Sequence, residues 1–151
     1  MNVIKTILPA FVAGVLVLGG AAEASTVSKT GNRGGTVNKS STHSGGTATG
    51  TVNKTGAYGS TVNKSYTNTG GTATGTSTKT GAYGGTANKS YTHSAGTSSG
   101  TVSKTGANGG TVDGSYTHTA GQGGSYDVTK TAPNGTTVTS TGGKTVTPPP
   151  Q

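Results

Sequence analysis

TATGTVNKTGAYGSTVNKSYTNTGG (47–71) holds two nine-residue runs, TATGTVNKT (47–55) and TVNKSYTNT (61–69). The five residues GAYGS separate them, and the pair Gly70-Gly71 closes the unit. Thr, Ser or Asn stands at every second position within each run, and glycine clusters bound both. This is the pattern of β-strands with side chains on alternating faces. A two-residue Gly-Gly connection suits a hairpin turn of type I′ or II′, which demands positive φ where glycine meets no steric penalty. One face of the two strands carries Thr47, Thr49, Thr51, Asn53 and Thr55, then Thr61, Asn63, Ser65, Thr67 and Thr69. The other carries Ala48, Gly50, Val52 and Lys54, then Val62, Lys64, Tyr66 and Asn68.

Outward from this stretch, the chain repeats with a period of 25 and no insertion across Thr26–Gly50, Thr51–Gly75, Thr76–Gly100 and Thr101–Ser125. The same residue recurs at Lys29/54/79/104, Gly31/56/81/106, Gly34/59/84/109, Ser40/65/90/115 and Gly46/71/96/121. A period of this kind signals one supersecondary unit that buries little alone and is completed by its neighbours. Antiparallel pairing across both turns sets Thr69 against Thr72 and Thr55 against Thr61, so the hydroxyl faces stay together. It also sets Tyr66 between Gly50 and Gly75, and Tyr91 between Gly75 and Gly100, where each ring can cover a position without a side chain. Lys54 then lies between Val37 and Val62, and Lys64 between Val52 and Ser77.

The fold expected is therefore all-β, an antiparallel meander of hairpins. The alternatives are a two-strand β-solenoid and a disordered chain. A solenoid would stack identical residues about 4.8 Å apart and turn the lysines into like-charge ladders. Disorder is the other alternative because Ser25–Gln151 contains no Leu, Ile, Met, Phe or Trp, and Val, Ala and Tyr bury little apolar area against the entropy of ordering the backbone. After Ser125 the pattern loosens into DVTKT (127–131), a turn at 132–135 and TTVTST (136–141), read together as a terminal hairpin within 126–147. Pro148–Pro150 lack backbone donors and suit a tail at 148–151 rather than a central strand.

Residues 1–24 read as an export signal: Lys5 gives the positive start, Ile7–Gly20 the apolar stretch, and Ala22-Glu23-Ala24 the small-residue cleavage site. The mature chain is expected to start at Ser25 and to be exported, to the extracellular space, the cell surface or the periplasm. The sequence has no cysteine, hence no disulfide framework and no lipid-accepting Cys. The net charge is +8 and loses one charge of each sign on cleavage, leaving Asp113 and Asp127 as the acidic residues of the remainder.

These residues offer little to catalysis, because Ser25–Gln151 lacks Cys and Glu and its two Asp stand in unrepeated contexts. The chain is expected not to be an enzyme, to need no cofactor and to take no small-molecule substrate. His43, His93 and His118 share one repeat position, where Asn68 stands in the remaining copy. One His per unit, with no Cys or acidic cluster, is too few ligands for a metal. Two surfaces remain as candidates. Lys29, Lys39, Lys54, Lys64, Lys79, Lys89 and Lys104, with Tyr66, Tyr91 and Tyr116, form a basic aromatic face suited to acidic polysaccharide or extracellular DNA. Thr47, Thr49, Thr51, Thr72, Thr74, Thr76 and Thr78 form a hydroxyl face suited to self-assembly or to ice. Neither face has the apolar belt of a transmembrane β-barrel.

The strand-turn-strand plan of Thr76–Gly100, repeated over 26–125, resembles in organisation the repeats of curli-type secreted fibre subunits, and TATGTSTKT (72–80) resembles the Thr-x-Thr arrays of insect antifreeze solenoids. Gln122 is the only Gln in the repeats, so the regular Gln and Asn of curli are absent, as are the cysteines of the antifreeze repeats. The resemblances imply a structural or adhesive component of a bacterial cell surface, matrix or biofilm that works by β-sheet self-assembly. The alternatives are an ice-binding protein and a polyanion-binding matrix module.

Overall fold

The computed structural model describes residues 22–145, and the expected signal segment up to residue 21 and the Pro-rich tail lie outside it. Ten strands of nine residues succeed one another: β1 Ala22–Thr30, β2 Thr36–Ser44, β3 Thr47–Thr55, β4 Thr61–Thr69, β5 Thr72–Thr80, β6 Thr86–Ser94, β7 Thr97–Thr105, β8 Thr111–Thr119, β9 Gly123–Thr131 and β10 Thr137–Thr145. They form one antiparallel sheet in sequence order, a meander rather than a solenoid. The expected registers hold: Thr69 pairs with Thr72 and Thr55 with Thr61, while Tyr66 stands between Gly50 and Gly75. Lys54 faces Val37 and Val62, so the same-charge ladder of a solenoid does not arise.

Two kinds of turn alternate along the sheet edges. At Gly45-Gly46 and Gly70-Gly71 both residues have positive φ, 54° and 76°, then 55° and 79°. That is the primed two-residue turn, whose twist matches the flanking strands. In the third copy Ala95 takes the first position at φ 45°, the one described non-glycine residue with positive φ. At the other edge the five-residue loops close with two backbone bonds. In the second copy the Gly56 N–H donates to the Ser60 carbonyl at 2.7 Å, and the Gly59 N–H donates to the Gly56 carbonyl at 3.0 Å. The same pair of bonds recurs at 31–35, 81–85, 106–110 and 132–136.

The terminal hairpin has longer strands than expected. Its strands run over Gly123–Thr131 and Thr137–Thr145 and match the other eight in length. A three-residue connection, Ala120-Gly121-Gln122, replaces the pair of glycines before it, so Thr119 pairs with Gly123. The strand β1 already begins at Ala22, and cleavage after Ala24 would shorten it to Ser25–Thr30.

No hydrophobic side chain is buried among the described residues, and both faces of the sheet are open. Order therefore rests on backbone ladders and cross-strand pairs, each pair contributing roughly 0.2–1 kcal/mol. No described helix is long and apolar enough to cross a membrane.

Candidate functional site: two faces of one sheet

Because every strand pairs in register, residues line up in rows that cross the whole sheet. On the hydroxyl face, the row next to the five-residue loops is threonine at all ten strands, from Thr30 and Thr36 to Thr131 and Thr137. The candidate residues of this face share rows: Thr47 with Thr72, Thr49 with Thr74, and Thr51 with Thr76, while Thr78 lies one row closer to the loops. Hydroxyls bond across the strands at the equivalent pairs Ser40 and Thr51, Ser65 and Thr76, and Ser90 and Thr101, each at 2.7 Å. Further pairs join Thr42 to Thr49 at 2.7 Å and Thr72 to Ser94 at 2.8 Å. The next equivalent, Ser115, faces Asp127 instead. Asp113 and Asp127 both stand on this face, opposite hydroxyl residues such as Ser103 and Thr141.

The opposite face gathers every candidate Lys and Tyr. Lys29, Lys54, Lys79 and Lys104 occupy one row on alternate strands, separated by Val37, Val62 and Ala87. Lys39, Lys64 and Lys89 occupy the next row on the intervening strands, separated by Val52 and Ser77. The result is a checkerboard of Lys and small apolar or hydroxyl residues. Lysines of one row sit two strands apart, about 9.6 Å at 4.8 Å per strand. That exceeds the roughly 8 Å screening length at physiological salt, so their mutual repulsion is largely screened. Lysines stand on both sides of Val37, Val52, Val62 and Val112 in their rows, and the internal valines are half-buried.

The tyrosines and glycines form a third row. A side chain built on Gly50 would lie 2.2 Å from the Tyr66 ring, and one on Gly75 would lie 2.2 Å from the Tyr91 ring. Each ring therefore leans over the glycine of the preceding strand. Tyr116 covers Gly100 in the same way, where the Ser90 carbonyl also crowds the site at 2.7 Å. Although Gly75 pairs with both Tyr66 and Tyr91, the atoms nearest its open side are all from Tyr91. Gly50, Gly75 and Gly100 are buried beneath these rings.

The same face holds three residues that the period of 25 does not reach: Lys130, Lys144 and Tyr126. The extra residue of the Ala120–Gln122 turn displaces the phase, so Lys130 comes 26 positions after Lys104 while staying in its row. Tyr126 and Gly142 exchange the usual strand order, and here the ring covers the glycine of the next strand. With these included, all nine strand lysines lie on this face and none on the hydroxyl face. Where the second Lys row reaches β8, Gly114 leaves a shallow notch between Val102 and Val128, with Tyr116 and Tyr126 beside it.

His43, His93 and His118 share the outer row of the Lys/Tyr face. Ser98 separates His93 from His118, and Nδ1 of His93 is hydrogen-bonded to Ser98 Oγ at 2.7 Å. The two rings thus stand on strands about 9.6 Å apart, beyond the reach of one shared ion. No family model, curated protein or solved structure matches the chain.

Proposed function

We propose that this chain is an exported structural or adhesive protein of a bacterial surface or matrix, and that it works by β-sheet self-assembly. One observation carries the reading: ten strands form a single open sheet with no buried hydrophobic side chain among the described residues. A sheet left open on both faces is poorly stabilised alone, and covering a face is the usual remedy. The hydroxyl face is the better surface for this, because it carries Thr methyl groups and no lysine. Two such faces can interlock as a zipper, leaving the Lys/Tyr faces outward. Sedimentation of the exported protein, paired with far-UV circular dichroism, tests the reading. Large β-structured species that grow with concentration and salt are expected. A β-structured monomer at high concentration and high salt rejects the reading and favours ice binding by the Thr rows.

A second reading, binding of acidic polysaccharide or extracellular DNA, is favoured by the gathering of nine lysines and four tyrosines on one face. Such a face would bind by charge, with rings stacking on bases or sugars. It is compatible with assembly through the other face.

A further inference from the structure

The two edge strands are complementary to each other. We infer that β10 of one copy pairs with β1 of the next in an antiparallel, flush register, so that copies join head to tail into one continuous sheet. This rests on the self-assembly reading above and names its contact.

The direction of the chain permits it. With an even number of strands, β10 runs opposite to β1, so a second copy advanced along the sheet offers its β1 antiparallel to β10, with like faces on the same side. No reversal of the molecule is needed. The advance is ten strands, about 48 Å at 4.8 Å per strand, combined with the twist the sheet accumulates. Such a heterologous contact does not close and yields filaments.

The side chains select the register. If Thr30 of the incoming copy meets Thr137, Lys29 meets Val138, Ser28 meets Thr139, Thr26 meets Thr141 and Ser25 meets Gly142. The Thr row then continues unbroken into the next copy. The Lys and Val alternation of the first Lys row also continues, since Lys130 and Val138 at the end of one sheet are succeeded by Lys29 and Val37 of the next. In a chain that keeps Glu23, the same register sets it opposite Lys144, an opposite-charge pair. Slipping by two residues, the smallest shift that preserves the faces, ends the all-Thr row and separates Lys29 from Val138.

Exposure singles out the same two strands. Among the described valines only Val27 and Val138 are exposed, at 41% and 62%, and they stand on β1 and β10. Every internal valine has a strand on either side, and these two lack one. The proposed register gives Val138 the stem of Lys29 and gives Val27 the neighbour Ser140. Natural sheets commonly blunt their edges with proline or a bulge. Neither device occurs within β1 or β10, both of which pair with their one neighbour over nine consecutive positions.

The absence of cysteine makes a crosslinking test clean. The chain carrying Thr26→Cys with Thr141→Cys, allowed to assemble and then oxidised, should give a ladder of dimers, trimers and longer species on denaturing gels. Ser28→Cys with Thr139→Cys should give the same ladder and guards against one pair perturbing the strand. The slipped pair Thr26→Cys with Thr139→Cys should remain monomeric on the gel, as should either single variant. A ladder from the slipped pair, or efficient dimers from Thr26→Cys or Thr141→Cys alone, overturns the inference in favour of another register or of two-fold edge pairing. Large species in sedimentation that no pair crosslinks also overturn it, while leaving assembly through faces intact. Chains that stay monomeric and β-structured overturn both this contact and the self-assembly reading.

Discussion

The hydroxyl face and the Lys/Tyr face are built from the same ten strands, but they are held by different means. Small side chains of similar size fill the first, and bonds of 2.7 Å tie neighbouring hydroxyls together. Large and absent side chains alternate on the second, so each Tyr ring rests in the space above a glycine. The first arrangement tolerates exchange of one small residue for another. The second is a fitted pair, in which enlarging the glycine displaces the ring. A face can thus be patterned for contact with another molecule or for internal cover, and this sheet divides the two tasks between its sides.

The largest single-residue effect is expected at Gly100. A side chain there meets both the Tyr116 ring and the Ser90 carbonyl, and the backbone carbonyl cannot swing away. Gly100→Val should cost about 2–3 kcal/mol, at the upper end of overpacking changes. It should cost nearly as much in a Tyr116→Ala background. For Gly50→Val the three nearest atoms all belong to the Tyr66 side chain. Its cost, about 1–2 kcal/mol, should largely vanish in a Tyr66→Ala background, and thermal melts monitored by circular dichroism in both double-mutant cycles measure the contrast. Equal rescue at the two sites would contradict the assigned packing.

Substitution on the other face should leave the fold and remove the contact. Thr49, Thr51, Thr74 and Thr76 replaced together by Lys place four charges where none of the lysines stands. The expected outcome is an unchanged β spectrum with loss of face-to-face pairing, seen in scattering as a thickness of one sheet rather than two sheets about 10 Å apart. Head-to-tail growth through the edges should persist. A variant that still forms paired sheets would show that the hydroxyl face is not the one that stacks.

A subtler sharpening comes from Lys54, Lys64, Lys79 and Lys89 replaced by Gln. If each neutralises one phosphate, the slope of log K against log salt for duplex DNA should flatten by up to about 3.6, at about 0.9 per contact. Assembly through the hydroxyl face should survive. DNA affinity that does not change with salt or with these substitutions would remove the polyanion reading. The smallest effect belongs to a turn: Ala95→Gly relieves a positive φ that the first two copies assign to Gly45 and Gly70. It should stabilise by about 1 kcal/mol, a rise of a few degrees in the melting temperature.

Much of this architecture is legible in the sequence because two local rules agree. The period-2 pattern assigns residues to faces, and the two-residue Gly-Gly turns leave no slack in the register, so the pairing of Tyr66 with Gly75 and of Lys64 with Ser77 is already determined. The terminal hairpin is less legible. Gly123-Gly124 and Gly142-Gly143 read locally as turns or breaks, since glycine weakens a strand, and yet all four lie within β9 and β10. Neighbouring strands set their conformation, and Tyr126 covers Gly142. The three-residue turn at Ala120–Gln122 hides Lys130 from a search at period 25. The lean of each ring is also invisible beforehand, because pairing places Tyr66 between two glycines and only packing chooses Gly50. The candidate faces are therefore readable as rows, while their full extent requires the sheet.

Fibre diffraction from aligned assemblies tests growth along the sheet most directly, because strand direction and sheet stacking appear on separate axes. The expected pattern has a meridional reflection at about 4.8 Å, from strands crossing the fibre axis, and an equatorial reflection near 10 Å, from paired hydroxyl faces. Assemblies without the 4.8 Å meridional reflection would contradict that mode of growth.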